Sequence, residues 1–307
     1  MLSIRNLSID YQLPGRPLSV LQDISLDFPR GQVTALIGES GSGKTTLTSA
    51  ILGLLASNAR VRGGQLLWKE ENLLEQSPER LRQFRWRQAS VVFQAAQGAW
   101  NPSLTIGQQM LDTCVDHGFP AHEQRRQELL TQVRLTPERV IAAYPHQLSG
   151  GMRQRALIAL SLMLEPELLI LDEPTTALDL ITQSYIFDIL AEIHQIGLTM
   201  ILVTHDLAAV ARLATHVAVL YAGTVVETGT AEEIFENPRH PYTQVLIRSS
   251  PDVHGGEVVR GAEGLPPDLR NRPSGCIFAS RCPEVVESCR ADSPPLENGV
   301  ACWRRRP

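Results

Sequence analysis

The chain has 307 residues, a formal net charge of −5 and a pI near 5.9, which allows one sizeable α/β core plus an appendage and argues against the broad basic footprint of a nucleic-acid binder. Apolar residues make up 43% and charged residues 20%, which excludes a disordered or fibrous class. The first 20 residues show no basic segment followed by an apolar stretch, and no run of about 18 apolar residues occurs. The expectation is a cytoplasmic protein that reaches a membrane only through partners.

In chain order, Val33-Thr34-Ala35-Leu36-Ile37 reads as a strand, followed by a glycine-rich turn and a helix opening at Lys44. Ser90-Val91-Val92-Phe93 reads as a second strand. The segment from roughly Ala95 to Glu165 has helical stretches, His122–Val133 and Met152–Leu164, and reads as an inserted helical subdomain. Leu168-Leu169-Ile170-Leu171 is a strand ending in Asp172-Glu173-Pro174, and Met200-Ile201-Leu202-Val203 is another ending in Thr204-His205-Asp206. Between them, Ile181, Tyr185, Ile186, Ile189, Leu190, Ile193 and Ile196 recur at helical spacing and predict a helix with one face on a sheet. This βα alternation predicts a parallel α/β core. Ser249 to Gly275 is Pro- and Gly-rich and reads as a linker before a cysteine-bearing tail, whose Arg304-Arg305-Arg306 run is a solvated end.

Gly38-Glu39-Ser40-Gly41-Ser42-Gly43-Lys44-Thr45 fits the phosphate-loop pattern G-x-x-x-x-G-K-[ST] between a strand and a helix. Glycines let backbone N–H groups face phosphate oxygens, and the helix N-terminus favours negative charge. Lys44 supplies a point charge to the β- and γ-phosphates of ATP, Thr45, followed by Thr46, is placed to ligate Mg²⁺, and Asp172 is placed to hold the same ion. Glu173 can polarise an attacking water. Read alone, His205 is better explained as a satisfied strand-end histidine.

Leu148-Ser149-Gly150-Gly151-Met152-Arg153-Gln154-Arg155 resembles the signature sequence of ABC ATPases. The resemblance spans roughly residues 1–235 as a nucleotide-binding domain and implies a P-loop NTPase fold, with a RecA-like parallel core, an antiparallel β subdomain and the inserted helical subdomain at about 95–165. It implies that Ser149, Gly150 and Gly151 bind the γ-phosphate held by a second ATPase subunit, so that two ATP molecules lie between two subunits. Gln94 looks like the Q-loop glutamine that senses Mg²⁺ and the lytic water. Asp179, in Ala177-Leu178-Asp179, looks like the D-loop residue that reaches across the dimer, and His205 like the switch histidine. Tyr11 is placed like the aromatic that stacks on adenine, with simple packing as the alternative. After Gln94 the chain reads Ala95-Ala96-Gln97-Gly98-Ala99-Trp100-Asn101-Pro102, where similar importers carry Asp-Pro before Ser-Leu-Asn-Pro; only the Asn-Pro is kept.

Four of the five cysteines, Cys276, Cys282, Cys289 and Cys302, fall in the last 32 residues, with five, six and twelve positions between them. Without a secretory signal, clustered cysteines point to a metal or redox centre more than to disulfides. Together with Asn237-Pro238 and His240-Pro241-Tyr242-Thr243, this 236–307 extension resembles that of oligopeptide, dipeptide and nickel importer ATPases. Some members hold a [4Fe–4S] cluster there, so the resemblance implies one on these four thiols, with zinc as the alternative.

The resulting expectation is an ATPase subunit that powers uptake of peptides, or of nickel or other metal chelates, from the cytoplasmic face of the inner membrane. Its expected partners are a second ATPase chain, related or identical, two transmembrane permease subunits and, through them, an extracytoplasmic binding protein. The rival is a soluble ABC ATPase acting on ribosomes or nucleic acid. Ribosomal versions usually carry two such domains and DNA-repair versions carry inserted coiled coils or zinc modules, none of which this sequence has.

Overall fold

Apolar residues on alternate positions start the chain as a strand, and the computed structural model, which describes residues 1–93, 98–120, 123–249 and 261–305, shows Leu2, Ile4, Leu7 and Ile9 of β1 (Leu2–Tyr11) fully buried. The chain divides into two compact units, Met1–Gln76 with Leu202–Pro307, and Ser77–Ile201.

In the first unit, β1 is followed by β2 (Leu18–Phe28), β3 (Val33–Ile37), α1 (Lys44–Ile51), β4 (Ala59–Trp68) and β5 (Glu71–Asn72). Strands β2, β1, β4 and β5 form an antiparallel sheet in that order. Leu2 sits opposite Phe28 on one side and Trp68 on the other, and Ile4 opposite Leu26 and Leu66, so one face is a continuous apolar layer. This is the antiparallel subdomain that the resemblance implied. All five residues of β3 are buried, as a strand covered on both faces requires.

The second unit begins with α2 (Pro78–Arg87), where Ser77 Oγ accepts the Arg80 N–H at 3.2 Å and proline fills the first helical position. The helix breaks at Arg85 and Trp86, whose φ is 70°. Next come β6 (Ala89–Val92), α3 (Ile106–Asp116), α4 (Glu123–Gln132), α5 (Pro137–Ile141), α6 (Gly150–Ser161), β7 (Leu168–Asp172), α7 (Leu180–Gln195) and β8 (Thr199–Val203). β6 and β7 run parallel, with Ala89 beside Leu168 and Val92 beside Leu171. Within this unit the sheet order is β8, β7, β6.

One boundary and one buried face differ from expectation. The helix predicted over Met152–Leu164 runs Gly150–Ser161 instead, its start set by the Ser149 cap. In α7 the apolar face narrows to Ile186, Phe187, Ile189, Leu190 and Ile193, while Ile181 and Ile196 are 84% and 76% exposed.

The first unit resumes within β8 and continues through α8 (Leu207–Leu213), β9 (His216–Tyr221), β10 (Thr224–Thr230), α9 (Ala231–Glu236), α10 (Pro241–Arg248) and α11 (Glu287–Ala291). β9 runs parallel to β3, from Thr34 beside His216 to Ile37 beside Val219. It then turns at Ala222-Gly223, both with positive φ (47° and 78°), into antiparallel β10. Residues 261–275 form no helix or strand. The extension is anchored by a buried aromatic cluster in which Phe278 meets Tyr221 and Tyr242 at ring separations of 5.1 and 5.4 Å.

Candidate nucleotide site

The loop between β3 and α1 takes a shape that only glycine permits at its ends. Gly38 has φ 146°, and a Cβ there would lie 2.0 Å from the Leu220 carbonyl oxygen; Gly43 has φ 98°, and its Cβ would meet Leu21 Cδ2 at 2.6 Å. Gly43 is the N-cap of α1, where no side chain caps the helix and no acidic residue stands in the first turn. The N-terminus thus offers backbone donors and a positive dipole end to an anion. Lys44 is buried, and its Nζ donates to the carbonyl oxygens of Gly38 and Glu39 at 2.7 and 3.0 Å and to Ser42 Oγ at 3.3 Å. The ammonium is therefore held over the loop. Ser40 and Gly41 are exposed at its crest, as is Thr45 at the start of α1. Thr46 is half-buried, and its hydroxyl lies 3.4 Å from the Tyr11 hydroxyl at the end of β1.

Glu39 turns away from the crest. Its carboxylate takes a two-pronged ion pair from Arg281, at 2.9 and 3.1 Å, and its backbone N–H donates to the Tyr242 hydroxyl at 2.8 Å. Arg281 also donates to the Tyr221 hydroxyl at 3.1 Å and to the Ala262 carbonyl at 2.8 Å, and its side chain is only 6% exposed. Burial works against the Arg281 charge, but the bonds to Glu39 and Tyr221 more than compensate, so its pKa stands above the ordinary arginine value. Burial pushes the Tyr242 phenol up as well, which keeps it neutral. A second arginine of the extension, Arg272, donates to the Ala222 carbonyl at 2.9 Å and to the Thr224 hydroxyl. In the same turn, the Gly223 N–H donates to the Ser42 carbonyl at 3.0 Å. None of these contacts was legible in the sequence: Glu39 and Arg281 are 242 positions apart, and Tyr242 stood in a quoted motif without a role.

His205 follows β8 and is exposed, between buried Thr204 and Asp206. Asp206 Oδ1 accepts the Ala209 N–H at 3.0 Å and so caps α8, fixing the backbone beside the histidine.

In the second unit, Asp172 ends β7 and is buried, and Glu173 follows with φ 52°. A glutamate in the left-handed region is strained by roughly 1 kcal/mol or more, as functional turns often are. Its Oε2 accepts the Thr176 hydroxyl at 3.0 Å, a partner that sequence reasoning missed. Asp179 caps α7, accepting the Thr182 N–H at 3.0 Å and the Thr182 hydroxyl at 2.8 Å. The backbone bond from Thr182 chiefly holds its carboxyl below the usual range. Ser149 is exposed and caps α6 through a 3.3 Å bond from the Met152 N–H. A Cβ on Gly151 would lie 2.5 Å from the Thr182 methyl, so the Ser149–Gly151 turn and the Asp179 cap meet at Thr182. Gln94 lies outside the described residues.

All five cysteines are free thiols, and Cys276, Cys289 and Cys302 are buried while Cys282 is partly exposed. Burial pushes the Cys276 thiol up to about 11, and the neighbouring Cys289, Cys282 and Cys302 add to the rise. Cys276 and Cys282 each lie within electrostatic reach of Cys289 and Cys302. Among the described residues, however, no three His, Cys, Asp or Glu side chains are gathered as a metal-holding set, so the expected cluster or zinc finds no preformed coordination shell. Among the same residues no helix is long and apolar enough to cross a membrane.

Residues 21–176 match the family described as ABC transporter, and residues 226–289 match the oligopeptide/dipeptide transporter C-terminal region. The dipeptide transport ATP-binding protein DppD of Caldanaerobacter subterraneus subsp. tengcongensis is 42% identical, covering 98% of this chain and 96% of its own. DppD of Escherichia coli is 39% identical over 96% and 92%. Among solved structures, the dimeric ATP-binding cassette MJ0796 bound to ADP and Pi superposes with a TM-score of 0.67 at 26% identity, covering 75% of this chain and 99% of its own. The cbiO1 subunit from Clostridium perfringens gives 0.66 at 29% identity over 77% and 90%. With the signature turn, the phosphate loop and both family matches on one polypeptide, the chain belongs to the ABC transporter family as an ATP-hydrolysing subunit of the oligopeptide/dipeptide importer type.

Proposed function

We infer that this subunit drives uptake of short peptides by binding ATP on the 38–45 loop and hydrolysing it with Glu173 at a site completed by a second ATPase subunit. The observation that carries the reading is the glycine-shaped, uncapped N-terminus of α1 with Lys44 held over it. Backbone donors and Lys44 hold the triphosphate, Glu173 takes a proton from the attacking water, and His205 contacts the γ-phosphate. The magnesium ligands on this reading are Thr45, Asp172 and Gln94; hydroxyl and carboxylate oxygens are the hard donors this ion prefers. When bound, Mg²⁺ offsets phosphate charge. Tyr11 stands beside Thr46 and is assigned to the adenine side.

The second ATPase subunit places its Ser149–Gly151 turn on the γ-phosphate, and Asp179 reaches across the pair. Two observations support a partner surface here: Ser149 is exposed at a helix N-terminus, and Leu180 and Ile181, next to Asp179, are 81% and 84% exposed. A related but different chain is favoured over a second copy. Two permease subunits dock near Gln94, where neighbouring Phe93 is exposed, and hold the protein at the cytoplasmic face of the inner membrane; an extracytoplasmic binding protein delivers the cargo. Peptides are favoured because the relatives are named for dipeptide transport, ahead of nickel or other metal chelates. On this reading residues 1–235 are the nucleotide-binding domain, with its helical subdomain at about 95–165, and 236–307 the extension.

A [4Fe–4S] cluster on Cys276, Cys282, Cys289 and Cys302 belongs to the same proposal, supported by four free thiols in one segment, three of them buried. It would brace the extension. Iron and acid-labile sulfide in anaerobically purified protein test it; zinc alone, or neither, contradicts it.

For the function itself, Lys44→Ala should weaken ATP binding at least ten-fold, a loss of about 1.4 kcal/mol or more. Ser149→Arg in the assembled transporter should keep binding and lose hydrolysis. Full hydrolysis by the Ser149 variant would rule out the shared site.

A further inference from the structure

We propose that Arg281 of the C-terminal extension is a positioning residue for nucleotide binding, neutralising Glu39 and turning it out of the phosphate loop so that the loop can accept a polyanion. The inference rests on the nucleotide site assigned above and concerns how that site is made fit for its ligand.

A loop that must receive a triphosphate gains nothing from a carboxylate of its own, yet the second position of this one is Glu39. Left unpaired beside the ligand, that charge would repel it, because like charges in a partly desolvated site interact far more strongly than in water. The fold answers with a guanidinium in two-pronged geometry, the strongest arrangement available to a carboxylate. Arg281 is not an incidental surface cation. Its side chain is almost wholly enclosed, its remaining donors are taken up by the Tyr221 hydroxyl and the Ala262 and Glu263 carbonyls, and its guanidinium lies over the Tyr221 ring at 5.6 Å.

The peptide group is fixed as firmly as the side chain. The Glu39 N–H is donated to Tyr242, which packs against Tyr221 at a ring separation of 4.6 Å. Tyr242 lies in the first turn of α10, held by buried His240, whose Nδ1 accepts the Tyr242 N–H at 3.0 Å. Extension residues thus set both the direction of the Glu39 side chain and the orientation of its peptide. Because Arg281 immediately precedes Cys282 and Phe278 follows Cys276 by two positions, the conformation of the cysteine segment determines whether the guanidinium reaches the loop. The extension is in this sense part of the ATP site without touching ATP.

The electrostatic account makes a prediction that a merely structural brace does not. In the purified full-length protein, Arg281→Ala should raise the dissociation constant for a fluorescent ATP analogue roughly ten-fold, the loss expected when one charge-assisted pair is broken. Adding Glu39→Gln to Arg281→Ala should restore binding to within about two-fold of the parent, since the repulsive charge is gone. Arg281→Lys, which keeps the charge but not the fork, should fall between. Far-UV circular dichroism and thermal melts on each variant establish that the fold is intact. An Arg281→Ala protein that binds as the parent does, or a double variant as weak as Arg281→Ala, overturns the inference. Lys44→Ala separates the two levels: if it loses binding while Arg281→Ala does not, only the role of Arg281 is wrong, whereas if it binds normally the nucleotide site itself is misassigned and the positioning role falls with it.

Discussion

At the scale of single residues, the site depends on groups whose surroundings leave them little choice. Gly38 is one, since a methyl group there meets the Leu220 oxygen at 2.0 Å and the φ of 146° is closed to other residues. Gly38→Ala should therefore abolish measurable ATP binding and lower the melting temperature, and a variant that binds normally would show that the loop can rearrange. His240 is another. Burial depresses its pKa to about 4, so the folded ring stays neutral where an unfolded histidine, titrating near 6.5, takes up a proton. The stability from this neutral ring is complete above pH 6.5, declines as the pH falls towards 4 and is constant below. By pH 5 the loss is roughly 2 kcal/mol. Denaturant melts at pH 7 and pH 5 should show that loss, and His240→Asn, which keeps an acceptor for the Tyr242 N–H, should show a smaller one.

At the scale of elements, the sequence was legible in three uniformly buried strands, though not in β9, whose residues 217–221 are buried as well. Val33–Ile37, Leu168–Asp172 and Thr199–Val203 are each buried throughout, and a continuous apolar run between turn signals says so. The antiparallel sheet was hidden to direct reading and implied only by resemblance. In β1 the period of two breaks between Ile4 and Leu7, where Asn6 takes φ 48° and the register shifts. In β4, Arg60 to Gln65 are exposed and include two glycines, so no alternation survives. Helix α2 carries a break at Arg85 and Trp86, and α10 is capped by a histidine in place of the usual serine, threonine, aspartate or asparagine. Such caps position chemistry. Asp206→Ala removes the acceptor for the Ala209 N–H at the start of α8 and should cost about 1 kcal/mol in denaturant melts. An unchanged melt would mean that the turn carrying His205 is held by other contacts.

At the scale of the whole molecule, the chemistry-bearing strings lay in plain view because each is contiguous: the phosphate loop, the Asp172-Glu173 strand end, the Ser149 turn. What joins the extension to the phosphate loop was not, because Arg281 and Tyr242 reach Glu39 from 242 and 203 positions away, and one arginine or tyrosine in a tail has no pattern to announce it. The four cysteines could be located in the sequence as a residue type with countable spacing, but spacing does not say whether the fold gathers them, and among the described residues no metal-holding set is gathered. The central claim is that Glu173 activates the water that hydrolyses ATP. It is tested most directly by Glu173→Gln in the assembled transporter, measuring ATP binding and steady-state phosphate release side by side. The account predicts binding within about two-fold of the parent and hydrolysis reduced at least a hundred-fold, the scale expected for loss of a general base; hydrolysis at the parental rate would contradict it.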